Sequence, residues 1–218
     1  MAEIYLVRHG QASFNSDDYD RLSDTGHRQS EYLGRYFAGR NIKFSHIFTG
    51  SQLRHQQTAE GICPGEKHNY AIHPGLNEYD FSALYKAYMD QHPDEADAAK
   101  EGDRQVFYHR LKHALNLWSK GRLDGDLPES WAEFSIRVAD ALDYIRDNAD
   151  GICLVVSSGG AISRAIGHIL DLAPQKVIDL NLQIKNSAFS HIYPGRDRLH
   201  LSSFNNVPHL DPDMITYS

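Results

Sequence analysis

Cysteine is scarce in this chain: Cys63 and Cys153 are the only two, and they stand in no paired motif. That excludes a disulfide framework and makes a reducing cytoplasm the expected compartment. Long apolar runs are missing as well, so nothing approaches the roughly 20 residues that a membrane span needs. Met1-Ala2-Glu3 leads straight into an apolar segment with no basic stretch ahead of it, so no signal peptide is read. Positive charge is in deficit: 22 Lys and Arg against 29 Asp and Glu give a net charge of −7. Nucleic acid and anionic membrane are therefore excluded as main partners, although a local cationic pocket for a small anion is compatible with that balance. No repeat or low-complexity tract appears. The 13 histidines include His109 and His113 at helical spacing, but no His-Glu-x-x-His or Cys/His set frames a metal site. No metal and no cofactor is expected.

What is present begins at the N-terminus. The unbroken run Ile4-Tyr5-Leu6-Val7 reads as a strand buried on both faces, and it gives way to Arg8-His9-Gly10. In an open α/β sheet ligands bind beyond the carboxyl ends of strands, where Arg8 and His9 emerge. Arg8 brings a permanent, forked cation suited to phosphate. His9 brings a ring nitrogen that is an uncharged nucleophile near neutral pH, and Gly10 lets the backbone pass close to a bound group. A cation and a nucleophile side by side point to phosphoryl transfer through histidine.

Further along, Ser23 to Thr25 offers cap chemistry for an amphipathic helix with Leu33, Tyr36 and Phe37, ending near Gly39. A second strand holds Ile47-Phe48, and a helix opening at Gly50-Ser51 runs to about Gly61. Asn69 to His73 reads as a short strand closed by Pro74-Gly75. Leu76 to Leu127 reads as a mostly helical insertion, divided at Gly102, that lies over the catalytic edge as a lid. Ser130-Trp131-Ala132-Glu133 is a capping box opening a helix with Phe134, Val138, Leu142 and Ile145 on one face. Ile152 to Val156 is another buried strand, stopped by Ser157-Ser158-Gly159-Gly160 and followed by a helix with Ile162, Ile166 and Ile169 inward. Alternation around Phe189 and Ile192, then Leu199 and Leu201, gives closing strands on either side of Pro194-Gly195. The fold class is α/β: a three-layer α/β/α sandwich with a mostly parallel central sheet, one domain over residues 1–218 with a helical insertion at about 76–127.

Arg54 stands at the third position after Ser51, in the first turn of its helix. A cation there opposes the helix dipole, at a cost of a few tenths to about 1 kcal/mol. An anion between Arg54 and the helix end removes that cost, since free N–H groups there already favour phosphate. Arg8-His9-Gly10 with Asn15 resembles the opening signature of the histidine phosphatase superfamily, which includes the phosphoglycerate mutases. Leu22-Ser23 with Gly26 and Gln29, Ser51-Gln52-Leu53-Arg54 with Gln57-Thr58-Ala59, and Leu76-Asn77-Glu78 are similar to the same family. So are Glu129-Ser130, Val155 to Gly160, and Asn205 with His209-Leu210. The set is ordered and spans nearly the whole chain.

The resemblance implies that His9 accepts the phosphoryl group, that Arg8, Arg54 and Asn15 hold its oxygens, and that Glu78 is the proton donor, with Asp80 as rival. The chain departs from the family at one point: Ser158 stands where the family has its second pocket histidine, before Gly159-Gly160. A serine hydroxyl donates one hydrogen bond but carries no charge, and loss of a well-placed donor typically costs about 10² to 10³ in rate. The Gly159-Gly160 turn still offers backbone donors to an anion. The expectation is a metal-independent phosphomonoesterase, weakened or narrowed rather than dead. A phospho-ligand binding or regulatory protein with little turnover is the first alternative, and a phosphoglycerate mutase-type transferase the second. The partner is a small phosphorylated substrate or inorganic phosphate. Substrate identity and oligomeric state, a dimer among the options, are not legible at this stage.

Overall fold

Six strands form one sheet in a computed structural model that describes residues 2–13, 20–65, 70–97, 104–196 and 198–217. The strands are β1 (Glu3–Arg8), β2 (His46–Thr49), β3 (Tyr70–Ile72), β4 (Ile152–Ser157), β5 (Phe189–Pro194) and β6 (Leu199–Asn206), in the spatial order β3-β2-β4-β1-β5-β6. The first four run parallel, while β5 and β6 are antiparallel additions at one side. The expected α/β class and mostly parallel sheet are thus present. Period-two alternation sends Ile4 and Leu6 of β1 to one face and Val7 to the other. All three are at most 1% exposed, as a strand covered on both sides requires.

Each face has its own core. On one side Val7, Ile47, Leu154 and Val156 pack against α1 (Asp24–Ala38) and α2 (Leu53–Ile62) through Leu33, Phe37, Ala59 and Ile62. On the other, Ile4, Leu6, Phe48 and Val155 meet α6 (Trp131–Asn148) and α7 (Gly159–Ile169) through Phe134, Val138, Leu142, Ile145, Ile162 and Ile166. Ser130 and Glu133 close the reciprocal capping box expected at the start of α6. The insertion contains α3 (Phe81–Gln91), α4 (Pro93–Asp97) and α5 (Arg104–Trp118); Gly102, where the sequence divides it, lies outside the described residues. Leu84, Tyr88, Leu111, Leu115 and Trp118 join the second core, so these helices are continuous with the sheet's packing. One helix was not anticipated: α8 (Pro174–Asn181), which starts on proline, buries Val177 and Ile178, and packs against α7 and α5. Among the described residues no helix is long and apolar enough to cross a membrane.

Chain crossings place the site. Helix α1, which follows β1, lies on one face, whereas α7, which follows the adjacent β4, lies on the other. Two neighbouring parallel strands whose helices diverge leave a crevice at their carboxyl ends. Arg8 pairs with Ser157 in register there, and the His9 N–H donates to the Ser157 carbonyl at 2.9 Å. Strand β2 ends beside them and delivers α2.

Candidate active site

His9 is 6% exposed, and its Nδ1 lies 2.7 Å from the Gly10 carbonyl oxygen. A carbonyl only accepts, so Nδ1 carries the proton and the neutral ring has Nε2 bare. Burial first, then the charges of Arg54 and Arg8, hold the imidazole well below its usual 6.5. The ring is therefore unprotonated at neutral pH, with a bare nitrogen chemically able to act as a nucleophile.

The two arginines are built in by different parts of the chain. Arg8 donates from Nη1 to the carbonyls of Ile184 and Tyr217, the latter at 2.9 Å, so the C-terminal segment helps aim it. That segment is pinned in turn: Gln29 Nε2 donates to Met214 O at 2.8 Å, and the Asn186 N–H donates to Thr216 O at 2.9 Å. Arg54 is 6% exposed and bonds the Asp20 carboxylate through Nη1 at 2.8 Å, while the other oxygen of Asp20 accepts the Leu53 N–H at 2.8 Å. The anion expected at the start of α2 thus has a resident member: Asp20 covers one side of Arg54 and the helix end together. The helix itself opens later than the sequence reading had it, with Gln52 as N-cap, which puts Arg54 at its second residue.

Glu78 follows a clamped loop. The Ser157 hydroxyl donates to Leu76 O at 2.6 Å, Ser51 and Asn77 exchange two hydrogen bonds of 2.7 Å, and the Glu78 N–H donates to Gln52 Oε1 at 3.0 Å. Arg137 donates to the carbonyls of Gly75 and Asn77 at 3.1 and 2.8 Å while its fork grips both Glu129 oxygens at 2.7 Å. The Glu78 carboxylate rests on the start of α7 and accepts the Gly160 N–H at 2.9 Å. A Cβ at residue 160 would overlap that carboxylate and the Tyr79 ring, so only glycine leaves room. Burial pushes the Glu78 carboxyl above its usual 4.5, against the pull of that N–H and of both arginines. Asp80 lines the same cavity as Glu78, but its carboxylate caps α3 by accepting the Ala83 N–H at 2.9 Å. The geometry favours Glu78 over its rival.

Arg8, His9, Arg54 and Glu78 line one cavity of about 630 Å³. Phe81, Phe107, Tyr108 and Leu111 of the insertion form its outer wall, and Asn181, Leu182 and Tyr217 close another side. Asn15 lies outside the described residues. Gly10 differs from expectation, since its N–H donates to Thr58 Oγ1 at 3.1 Å and a Cβ there would overlap the Gly26 backbone. Its smallness therefore serves the close approach of α1. Gly159 lies beside Arg8 and Asn181. Ser158 is fully buried behind the cavity, with its Oγ 2.7 Å from Nε2 of His55. His55 itself, directly after Arg54, was passed over in the sequence, as were Asp20, Arg137 and Asn181. Adjacency to Arg54 was the only signal available for His55. Among the described residues no group of three His, Cys, Asp or Glu side chains is placed to hold a metal ion.

Several known proteins are similar to this chain. The probable phosphoglycerate mutase GpmB of Enterobacter sp. (strain 638) is 28% identical over 201 residues, covering 88% of this chain and 85% of that protein. A phosphoserine phosphatase from Entamoeba histolytica, solved as a mutant with phosphoserine, superposes with a TM-score of 0.69 at 19% identity, covering 96% of this chain and 100% of that one. A putative alpha-ribazole-5'-P phosphatase from Escherichia coli gives 0.71 at 20% identity, covering 94% and 96%. The family model of the histidine phosphatase superfamily (branch 1) matches residues 4–207, nearly the whole chain and every described residue of the cavity but Tyr217. With that match added to the cradle around His9, the chain belongs to the histidine phosphatase superfamily, branch 1.

Proposed function

We propose that the protein is a phosphomonoesterase that works through a phosphohistidine on His9. One observation carries the reading: an imidazole held bare by burial and two guanidiniums shares a cavity with a carboxyl held toward its acid form. Environments that push two titratable groups apart in this way assign nucleophile and acid. Nε2 of His9 attacks phosphorus as the ester P–O bond breaks, and Arg8 and Arg54 take the charge on the phosphoryl oxygens. Glu78 gives its proton to the departing oxygen. As a carboxylate it then takes a proton from water, whose oxygen attacks the phosphohistidine, releasing orthophosphate and freeing His9.

The rest of the cavity supports a substrate class. Its described wall mixes aromatic and apolar side chains (Phe81, Phe107, Tyr108, Leu111, Leu182) with the polar Gln52, Ser82 and Asn181 and the acidic Asp80, and the described cations in the lining, Arg8 and Arg54, both stand at the phosphoryl end. Such a wall suits a phosphate ester whose remainder is apolar or aromatic and carries no second anion. A sugar acid phosphate brings a carboxylate that this wall leaves without a counter-charge, and this places hydrolysis ahead of mutase transfer. On this reading the partner is a small phosphorylated molecule met in the cytoplasm, with neither nucleic acid nor membrane involved.

The test is phosphate release from a panel of esters. Aryl and apolar alkyl phosphates should be hydrolysed in preference to 3-phosphoglycerate, and His9→Ala should abolish release. Wild-type-like turnover in that variant refutes the nucleophile, and phosphoryl exchange between phosphoglycerates without release would favour the mutase reading. Tight orthovanadate binding without any turnover would favour a binding protein.

A further inference from the structure

Ser158 occupies the N-cap of α7, where a serine hydroxyl ordinarily accepts from the first turn of the helix. It makes no such bond. Its Oγ is instead 2.7 Å from His55 Nε2, and both residues are 0% exposed. The other nitrogen of His55, Nδ1, is buried with no hydrogen-bond partner, lying over Gly50, where any Cβ would overlap it. A fully buried imidazole with one unmatched nitrogen is destabilising, and an apolar side chain of similar size would avoid that penalty. The ring centre of His55 lies 5.7 Å from that of His9.

The unmatched nitrogen settles the tautomer. A buried N–H without an acceptor is rarer than an unused lone pair, so the proton is on Nε2 and donates to Ser158 Oγ. The hydroxyl's own proton must then point away from His55. Ser158 follows Ser157, whose carbonyl accepts from the His9 N–H at 2.9 Å, and precedes Gly159, which lies beside Arg8, so it stands next to both residues that would meet a phosphoryl group.

We propose that His55 is a positioning residue for phosphoryl transfer: by donating to Ser158 it holds the serine hydroxyl with its proton aimed at a phosphoryl oxygen. The inference rests on the phosphohistidine reading above. It also bears on the weakening expected from serine at position 158, because a hydroxyl polarised by a buried imidazole is a stronger and better-aimed donor than serine alone. Burial and Arg54 keep the His55 ring neutral, so the pair supplies a donor without adding a cation beside the nucleophile.

The experiment compares His55→Leu, which keeps bulk and removes the donor, with His55→Gln, which keeps a donor, with Ser158→Ala, and with the Leu/Ala double variant. Steady-state kinetics use an aryl phosphate, and orthovanadate affinity is measured alongside. His55→Leu and Ser158→Ala should each lower kcat by about 10²-fold, the typical effect of one lost donor, with KM changed by less than about threefold. The double variant should be no worse than the worse single one, and His55→Gln should recover about tenfold. Multiplying losses in the double variant, or a kcat in Ser158→Ala within about twofold of wild type, overturns the proposal. If the wild type releases no phosphate from any ester, the phosphomonoesterase reading falls. Orthovanadate then decides: weakening of about tenfold or more in both single variants supports the pair, and unchanged affinity overturns it.

Discussion

On the proposed mechanism His9 must be bare while Glu78 holds its proton, and with ordinary values this rarely happens. A free glutamate ionises near 4.5 and a free imidazolium near 6.5, so over most of that interval both groups are charged. Burial moves each toward its neutral form: the His9 value drops and the Glu78 value rises, which raises the fraction of molecules holding a bare ring opposite a protonated acid. The sign of the pH dependence follows. With an alkyl phosphate, kcat/KM should rise with pH as His9 loses its proton, at a value below 6.5, and fall again as Glu78 ionises, at a value above 4.5. Glu78→Gln should lower kcat/KM for that ester by about 10² to 10⁴ and remove the alkaline limb while leaving the acid limb. Persistence of the alkaline limb in that variant would assign it to another group. His9 and Glu78, which share the cavity, could both be singled out in the sequence because each stands in a compact local motif. The partner of Ser158 could not, because His55 comes from a different strand–helix unit 103 positions away.

Loops at the strand ends hold these groups still, and one clamp is carried by Arg137 of α6. The guanidinium of Arg137 is forked to Glu129 and also donates to two carbonyls of the 75–77 turn, immediately before Glu78. The pair is largely buried, with side-chain exposures of 26% and 19%, so removing one partner strands the other. Arg137→Ala should lower unfolding free energy by about 2 kcal/mol, within the range for charged hydrogen bonds. It should also lower kcat about tenfold by loosening the acid, as displaced catalytic groups generally do. Urea denaturation and aryl phosphate turnover check the two effects separately, and a stability loss with kcat intact would show that Arg137 does not position Glu78. The sequence marked Glu129-Ser130 and Leu76-Asn77-Glu78 as related segments without a reason for either. Their connection is a contact between α6 and the β3–α3 turn, which periodicity along the chain does not encode. Periodicity did suffice for α1, α6 and α7, whose apolar stripes are long. It failed for α8, whose eight residues fully bury only Val177 and Ile178.

Folding closes the site from both ends of the chain, with β1 central in the sheet and the last dozen residues returning across α1 to reach Arg8. Asn205, at φ 57°, turns that return: its Oδ1 accepts the Lys185 N–H at 2.9 Å, and its Nδ2 donates to Gln183 O at 2.8 Å. His209 then packs into the same region, 2.9 Å from the Ser187 hydroxyl. The native state thus encloses His9, His55 and His209 without their protons; burial pushes His209 down to about 4 and holds the other two well below 6.5. The unfolded chain takes up protons on all three near 6.5, so below that pH it binds more protons than the native state and acidification must destabilise the fold. Stability is full above about 6.5 and falls as pH drops, at up to about 1.4 kcal/mol per pH unit for each histidine until its folded value is reached. Glu78 acts in the opposite sense, because its raised value favours the fold where the carboxyl is protonated, so it offsets part of the loss as pH falls through that raised value toward 4.5. Urea-derived unfolding free energies at intervals from pH 7.5 to 5 should therefore fall steeply below 6.5. His209→Asn, outside the cavity, should remove about one proton from that slope and leave aryl phosphate turnover near pH 7 within about twofold. A slope unchanged by this variant would mean that His209 is protonated in the native state, and that the C-terminal return is held more openly than its packing indicates.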